Sequence, residues 1–395
     1  MDELTQTPPF DARAVAQAGM AALRAGEAGK ARDLFEQVAA SGHVDARLWL
    51  ALAEARGAAG DQIGKAAAFD AALALDPRNF RALIGKADHF GQAGDVRAAA
   101  SFYAAALRGA PAFAHASADE QNQIRRAKTM VDSQTRAFEV HIRDALAAEG
   151  LVEGQVNPRF LRAIDILVGK KQAYAQAPRY FYYPELAPVQ FYPRADFPWL
   201  DKVEAAFESV RDELRAVIAQ AGAFAPYVEP DPKRPHNTQR GMAGNPDWSA
   251  YFLCKEGVLT PGAAACPNTL AALAEAPLTR IPNRAPAVLF SRLAAGARIP
   301  AHTGMLNARL ICHLPLIVPP DCVFRVGNEQ RNWEEGKAWV FDDSIEHEAW
   351  NRSRQDRYVL IFDIWRPDIG EDERRAISAL CRAVDGYGGQ GAWDA

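Results

Sequence analysis

The chain has 395 residues, of which 45 are basic and 49 acidic, for a formal net charge of -4. That length suits two or three domains with a substantial core, and the even charge balance, with no basic stripe, gives no sign of nucleic-acid binding. The start MDELTQTPPF lacks the basic and apolar regions of an export signal, and no apolar run is long enough to span a membrane. A cytoplasmic protein without membrane attachment is therefore expected. The five cysteines, Cys254, Cys266, Cys312, Cys322 and Cys381, are odd in number and scattered. They suit reduced, buried thiols better than a disulfide framework or a metal cluster.

Residues 1–112 are alanine-rich and repeat every 34 residues, as Gly26, Gly60 and Gly94 show, followed in the same rhythm by Phe35, Phe69 and Tyr103, and by Pro77 and Pro111. A glycine between two helices, an aromatic in the second helix and a closing proline at this period resemble the tetratricopeptide repeat. The glycine supplies the left-handed conformation that ends the first helix, and the aromatic packs on its neighbour. Three such units would form a short solenoid, whose concave surface would bind a peptide or whose flank would mediate dimerisation. Lys65 and His43 stand where the pattern favours a small residue and a proline, which makes the first repeat the weakest.

Residues 113–179 predict a helical connector, because SADEQNQIRRAKTMVDSQTRAFEVHIRDALAAEGL has the pattern of one or two polar amphipathic helices. The aromatic stretch APRYFYYPELAPVQFYP then opens a different region, and DKVEAAFESVRDELRAVIAQAG predicts a helix buttressing a sheet. The Pro-rich segment 231–286 is least regular. Within it NPDWSAYFLCKEG predicts a strand or hairpin beside a site, with Arg240 and Trp248 as candidate substrate contacts.

From residue 288 onward VLFSRLA, ARLICHLPLIV, CVFRVG, KAWVFDD and RYVLIFDIW are β-branched and aromatic, and turn clusters separate them. Short strands at this spacing predict a sandwich or jelly roll. Strand alternation places Arg309, Ile311 and His313 on one face of the pleat, so two polar residues look toward one interior. His302 lies in an HTG turn, His347 follows 45 residues later in EHEAW, and Arg357 comes ten residues after that on an apolar run. Neutral imidazoles suit iron, and an arginine fork on a buried strand suits a dicarboxylate co-substrate. The tail EDERRAISALCRAVDGYG predicts a helix followed by a flexible end.

Taken together, YFYYPELAPVQFYPRADFPWLDKVE, HTG, WEEGKAWVFDDSIEHEAW and RYVLIFDIWRP resemble the aspartyl/asparaginyl β-hydroxylases over residues 180–367. The resemblance implies a double-stranded β-helix of jelly-roll, cupin-like form behind an α-solenoid, with Fe(II) and 2-oxoglutarate as cofactors. By position it implies His302 and His347 as iron ligands and Arg357 with Ser291 at the distal carboxylate of 2-oxoglutarate. Arg309 and His313 become further co-substrate neighbours. The implied activity is hydroxylation of an unactivated carbon, in a peptide or protein substrate, with release of succinate and CO2. Residues 180–370 would form the catalytic domain and 371–395 a C-terminal helix and tail.

Two positions depart from the wider pattern. Gly304 occupies the place, two residues after the first histidine, where three-ligand oxygenases carry an acid, and Ile311 replaces an arginine of many relatives. Asp342 and Asp343 are the nearby acids, but their DDS context predicts a turn and keeps them out of the ligand set. A non-catalytic scaffold with a degenerate cupin-like domain, and the same chemistry on a lipid or small molecule, stand as the alternatives.

Overall fold

A computed structural model describes residues 10–229 and 242–388, which fall into two compact units, Met1–Lys171 and Gln172–Ala395. Arg240 and the expected flexible end after 388 lie outside the described residues. No described helix is long and apolar enough to cross a membrane.

The first unit contains the helix pairs α1 (Ala12–Arg24) and α2 (Ala28–Ala40), α3 (Ala46–Ala58) and α4 (Gln62–Leu75), and α5 (Phe80–Gln92) and α6 (Val96–Arg108). Each pair turns at a repeat glycine. Gly26, Gly60 and Gly94 all adopt positive φ, of 78°, 87° and 81°, and the next residue returns its N–H to the carbonyl five back, from Glu27 to Ala22, Asp61 to Arg56 and Asp95 to Phe90. This helix-ending motif satisfies carbonyls that would otherwise lack partners. The second helices of the later pairs are capped by Asp61 and Asp95, whereas Glu27 makes no side-chain cap, so the first repeat is the least well punctuated.

Phe35, Phe69 and Tyr103 are buried, and one turn of each first helix offers a small residue, Gly19, Ala53 and Ala87, again at 34-residue intervals. Helix α7 (Ala118–Ala148) opens with a Ser117–Glu120 capping box and buries Ala127 against α5 and α6. Helix α7 therefore packs on the last helix pair, and α8 (Pro158–Leu167) follows in the same unit.

The second unit begins with α9 (Leu200–Ala205) and α10 (Phe207–Ile218), and also carries α11 (Pro267–Ala272) and α12 (Glu371–Gly388). Its strands are β1 (Ala225–Pro226), β2 (Trp248–Lys255), β3 (Val258–Leu259), β4 (Val288–Leu293), β5 (Arg298–His302) and β6 (Arg309–Ile317). They continue with β7 (Cys322–Val326), β8 (Glu329–Asn332), β9 (Trp339–Phe341), β10 (His347–Asn351) and β11 (Arg357–Trp365). One antiparallel sheet runs β1-β2-β4-β11-β6-β9 with β3 on β2, and the other runs β5-β10-β7-β8. The expected hairpin is β2 and β3, turned at Glu256 and Gly257, both with positive φ.

Alternation along β6 decides which side chains meet. Leu310, Cys312, Leu314 and Leu316 pack outward with Leu360 and Phe362 against Val210, Leu214 and Val217, so α10 does buttress the sheet. Ile311 and Phe341 point inward with Ile299, Phe324, Val326 and Ala349 of the other sheet. Each of these buried Ile, Val and Phe side chains contributes about 1.5–3 kcal/mol. Helix α12 buries Ile377 and Cys381 against Trp365 and Ile281, making it part of this unit's core.

The repeat packing can be probed at Gly85, where an added Cβ would run into the Phe69 ring. We expect Gly85→Val to destabilise the helical unit by about 1–3 kcal/mol through overpacking, read as a lower denaturant midpoint for its unfolding.

Candidate functional site

His302 ends β5 and His347 begins β10, and the antiparallel register sets them opposite one another. Their ring centroids are 4.1 Å apart. Each Nδ1 faces a carbonyl two residues back, that of Pro300 at 2.8 Å and that of Ile345 at 3.0 Å. A carbonyl can only accept, so each Nδ1 carries the proton and each Nε2 keeps its lone pair. Burial pushes His302 down to about 3, with His347 adding to the shift, and burial pushes His347 down to about 4. Two neutral, pre-oriented imidazoles could hold one divalent metal ion. No cluster of three or more His, Cys, Asp or Glu suited to a metal occurs among the described residues.

Gly304 explains the missing acid. A Cβ there would overlap the carboxylate of Asp343, and the Gly304 N–H donates to the Asp343 carbonyl at 2.6 Å. Asp343 is buried, which pushes it up to about 6, and its Oδ1 has no hydrogen-bond partner. The other acid of the DDS turn points elsewhere: Asp342 accepts from Arg366 at 3.0 Å, Gln176 at 2.6 Å and the Ser344 N–H at 3.0 Å. Strand parity alone does not reveal that Asp343 reaches Gly304, since the turn sets its direction.

Beside the histidines, Arg357 is buried to 2% exposure, and no carboxylate pairs with it among the described residues. Burial pulls its guanidinium down to about 10, so it remains charged near neutrality. Its closest aromatic partner is Trp333, whose ring centroid is 5.1 Å from the guanidinium carbon. Ser291 lies opposite Val359, two residues along β11 and on the same face as Arg357, and its Oγ is buried without a partner. His313 is buried, with an unpartnered Nδ1, and burial followed by the charge of Arg357 keeps it neutral. A lone buried cation beside orphaned hydrogen-bonding groups fits the carboxylate of a bound co-substrate. Asn351 positions this group: its amide donates to the carbonyls of Leu293 at 3.0 Å, Ala294 at 3.0 Å and Gln355 at 2.7 Å, tying the end of β4 to the turn before Arg357.

Arg309 shares the interior face but not this pocket. It sits opposite Trp365, eight residues from Arg357 along β11, or about 26 Å at the usual strand rise. Its guanidinium donates to Asp363 at 3.0 Å and Asp343 at 3.3 Å. The expectation that Arg309 contacts the co-substrate is thus corrected, because two carboxylates already hold it and strand length separates it from Arg357. Ile311 does not gain a substitute from it. Asp363 went unnoticed in the sequence, although its odd position in RYVLIFDIW puts it on the same face as Arg357.

Trp248 begins β2 opposite Leu293. Its indole stacks on Tyr227 with centroids 4.4 Å apart and lies 5.8 Å from the His302 ring, with a buried, unpartnered Nε1. It forms a wall next to the histidine pair, as a substrate contact would.

The second unit is an antiparallel two-sheet domain with a histidine pair and an unpaired arginine between its sheets. The chain matches the family model for aspartyl/asparaginyl β-hydroxylase over residues 204–367. It is similar to the ornithine lipid ester-linked acyl 2-hydroxylase of Rhizobium tropici, 35% identical over 191 residues, 47% of this chain and 63% of that protein. It is also similar to the aspartyl/asparaginyl beta-hydroxylase of Homo sapiens, 33% identical over 181 residues, 45% of this chain and 22% of that protein. The chain thus spans under two thirds of the length of both. The chain is also similar to the Sgt2 TPR domain of Aspergillus fumigatus, 19% identical, covering 34% of this chain and 87% of that one, with a TM-score of 0.28.

Two substitutions test the geometry. Gly304→Ala should displace the Asp343 carboxylate and weaken metal binding at the histidine pair, measured by metal titration of the folded variant. Arg357→Met should remove an uncompensated buried charge and stabilise the ligand-free protein by about 1–3 kcal/mol, read as a higher denaturation midpoint.

Proposed function

We propose that the second unit is an Fe(II)- and 2-oxoglutarate-dependent dioxygenase on a double-stranded β-helix. The strand orders β4-β11-β6-β9 and β5-β10-β7-β8 support that fold, since they alternate between two facing sheets as eight jelly-roll strands do. The observation that carries the function is Arg357, buried beside Ser291 and His313 with no acid paired to it among the described residues. An uncompensated charge is costly to keep in an interior, and a bound carboxylate would balance it. That cost also disfavours a degenerate, non-catalytic scaffold.

In this reading His302 and His347 bind the metal through Nε2, their Nδ1 protons held on backbone carbonyls. Bound iron and 2-oxoglutarate together supply the oxidising chemistry, with succinate and CO2 as co-products. Arg357 and Ser291 orient the distal carboxylate, and His313 lies alongside. Asp343 leaves Oδ1 available to accept a hydrogen bond in the space that a third ligand would fill. The aromatic pair Trp248 and Tyr227 shields the neighbouring wall from water. The protein's part is orientation, exclusion of water and fixed charge.

The substrate we propose is the β-carbon of an aspartate or asparagine in a peptide or protein, with the helical repeats as a docking surface. A lipid acyl chain is the second reading, favoured by the Rhizobium tropici relative. Anaerobically purified protein, supplied with Fe(II), 2-oxoglutarate and then oxygen, should form succinate. His302→Ala and His347→Ala should each abolish this while the circular dichroism stays native, and full succinate yield from either variant would remove that histidine from the site. Mass spectrometry of peptide and lipid candidates for an added oxygen separates the two substrates.

A further inference from the structure

Trp333 follows β8 on the WEEG turn, half-buried, and lies against two of the groups of the carboxylate pocket, His313 and Arg357. Its ring is near-parallel to the His313 imidazole, with centroids 5.4 Å apart and planes 18° apart, and lies 5.1 Å from the Arg357 guanidinium carbon. Trp339 backs it at 4.7 Å and Phe324 at 5.4 Å. The turn itself is clamped. Gly336 donates its N–H to the Pro315 carbonyl at 3.0 Å, Glu335 accepts from the Val318 N–H at 2.8 Å, and Glu204 accepts from the Ala338 N–H at 2.9 Å. The indole is therefore held in place over the pocket and not left to swing on a free loop.

We infer that Trp333 is a positioning residue that caps the Arg357 pocket and sets how tightly the distal carboxylate of 2-oxoglutarate is held. The inference rests on reading that pocket as the 2-oxoglutarate site. Physically, the indole does two things. Its π face is the stand-in partner of the guanidinium when no carboxylate is bound, which keeps the fork flat beneath it and next to His313. When a carboxylate pairs with Arg357, the same ring keeps water off the ion pair, and an ion pair shielded from water is stronger than an exposed one. A phenyl ring preserves a face, whereas an aliphatic side chain preserves neither the attraction nor the flat cover.

The test uses the full chain loaded with Fe(II) under anaerobic conditions, titrated with 2-oxoglutarate, and followed by indole emission and by thermal unfolding. Each variant is compared with itself, with and without 2-oxoglutarate, so a change in basal stability does not enter. The parent protein should show a saturable change in emission together with a rise in Tm. Trp333→Phe should show a smaller emission change while its Tm rises at nearly the same 2-oxoglutarate concentration. Trp333→Leu should need about tenfold more 2-oxoglutarate for the same Tm rise. Unchanged half-saturation in a folded Trp333→Leu protein overturns the cap, as does an emission change of undiminished size in Trp333→Phe. If the parent protein itself gives no response to 2-oxoglutarate, the pocket assignment falls first and takes the cap with it.

Discussion

Antiparallel pairing of β5 with β10 sets His302 across from His347, and the arrangement of the site depends on that register. Side chains alternate along a strand, so a slip of one residue would turn one imidazole out of the interior. The ladder continues from β10 to β7, where His347 faces Val326 and Ala349 faces Phe324, so the histidine is anchored on both sides. Both imidazoles also spend their Nδ1 proton on a nearby carbonyl, which leaves the two Nε2 atoms free. Backbone geometry thereby determines ring orientation and tautomer together.

Two arginines on the inner face of the larger sheet show how burial separates structure from function. Arg309 is paired with Asp363 and Asp343, so its charge is met within the protein. Arg357, at the far end of β11, has the Trp333 ring beside it and no acid paired with it among the described residues. The first arrangement holds strands and the DDS turn together beside Gly304. The second stores an unmet electrostatic demand in a pocket, and such a demand is what distinguishes a binding group from a brace.

The helical unit obeys a different constraint. No single helix pair buries enough surface, so each aromatic, Phe35, Phe69 or Tyr103, has a small residue at its disposal on a first helix. Stacking ends where α7 lays Ala127 on α5 and α6, with its polar face outward. The same 31-residue helix is too polar for its composition alone to show that packing.

Periodicity is a local property, and what it encodes was legible in the sequence. The 34-residue spacing of glycines and aromatics announced the paired helices, and the alternation of β-branched residues announced an antiparallel sheet domain and the shared face of Ile311 and His313. The motifs HTG and EHEAW and the isolated Arg357 singled out polar residues in apolar strands. Pairing across the chain was not legible, because it depends on which strands become neighbours. Only the folded sheets place His302 against His347, send Arg309 to Asp363 and Asp343 instead of to Arg357, and bring Trp333 over His313. The role of Gly304 belongs to the same class: its missing Cβ makes room for a carboxylate 39 residues away, and only three-dimensional packing decides whose side chain fills that space.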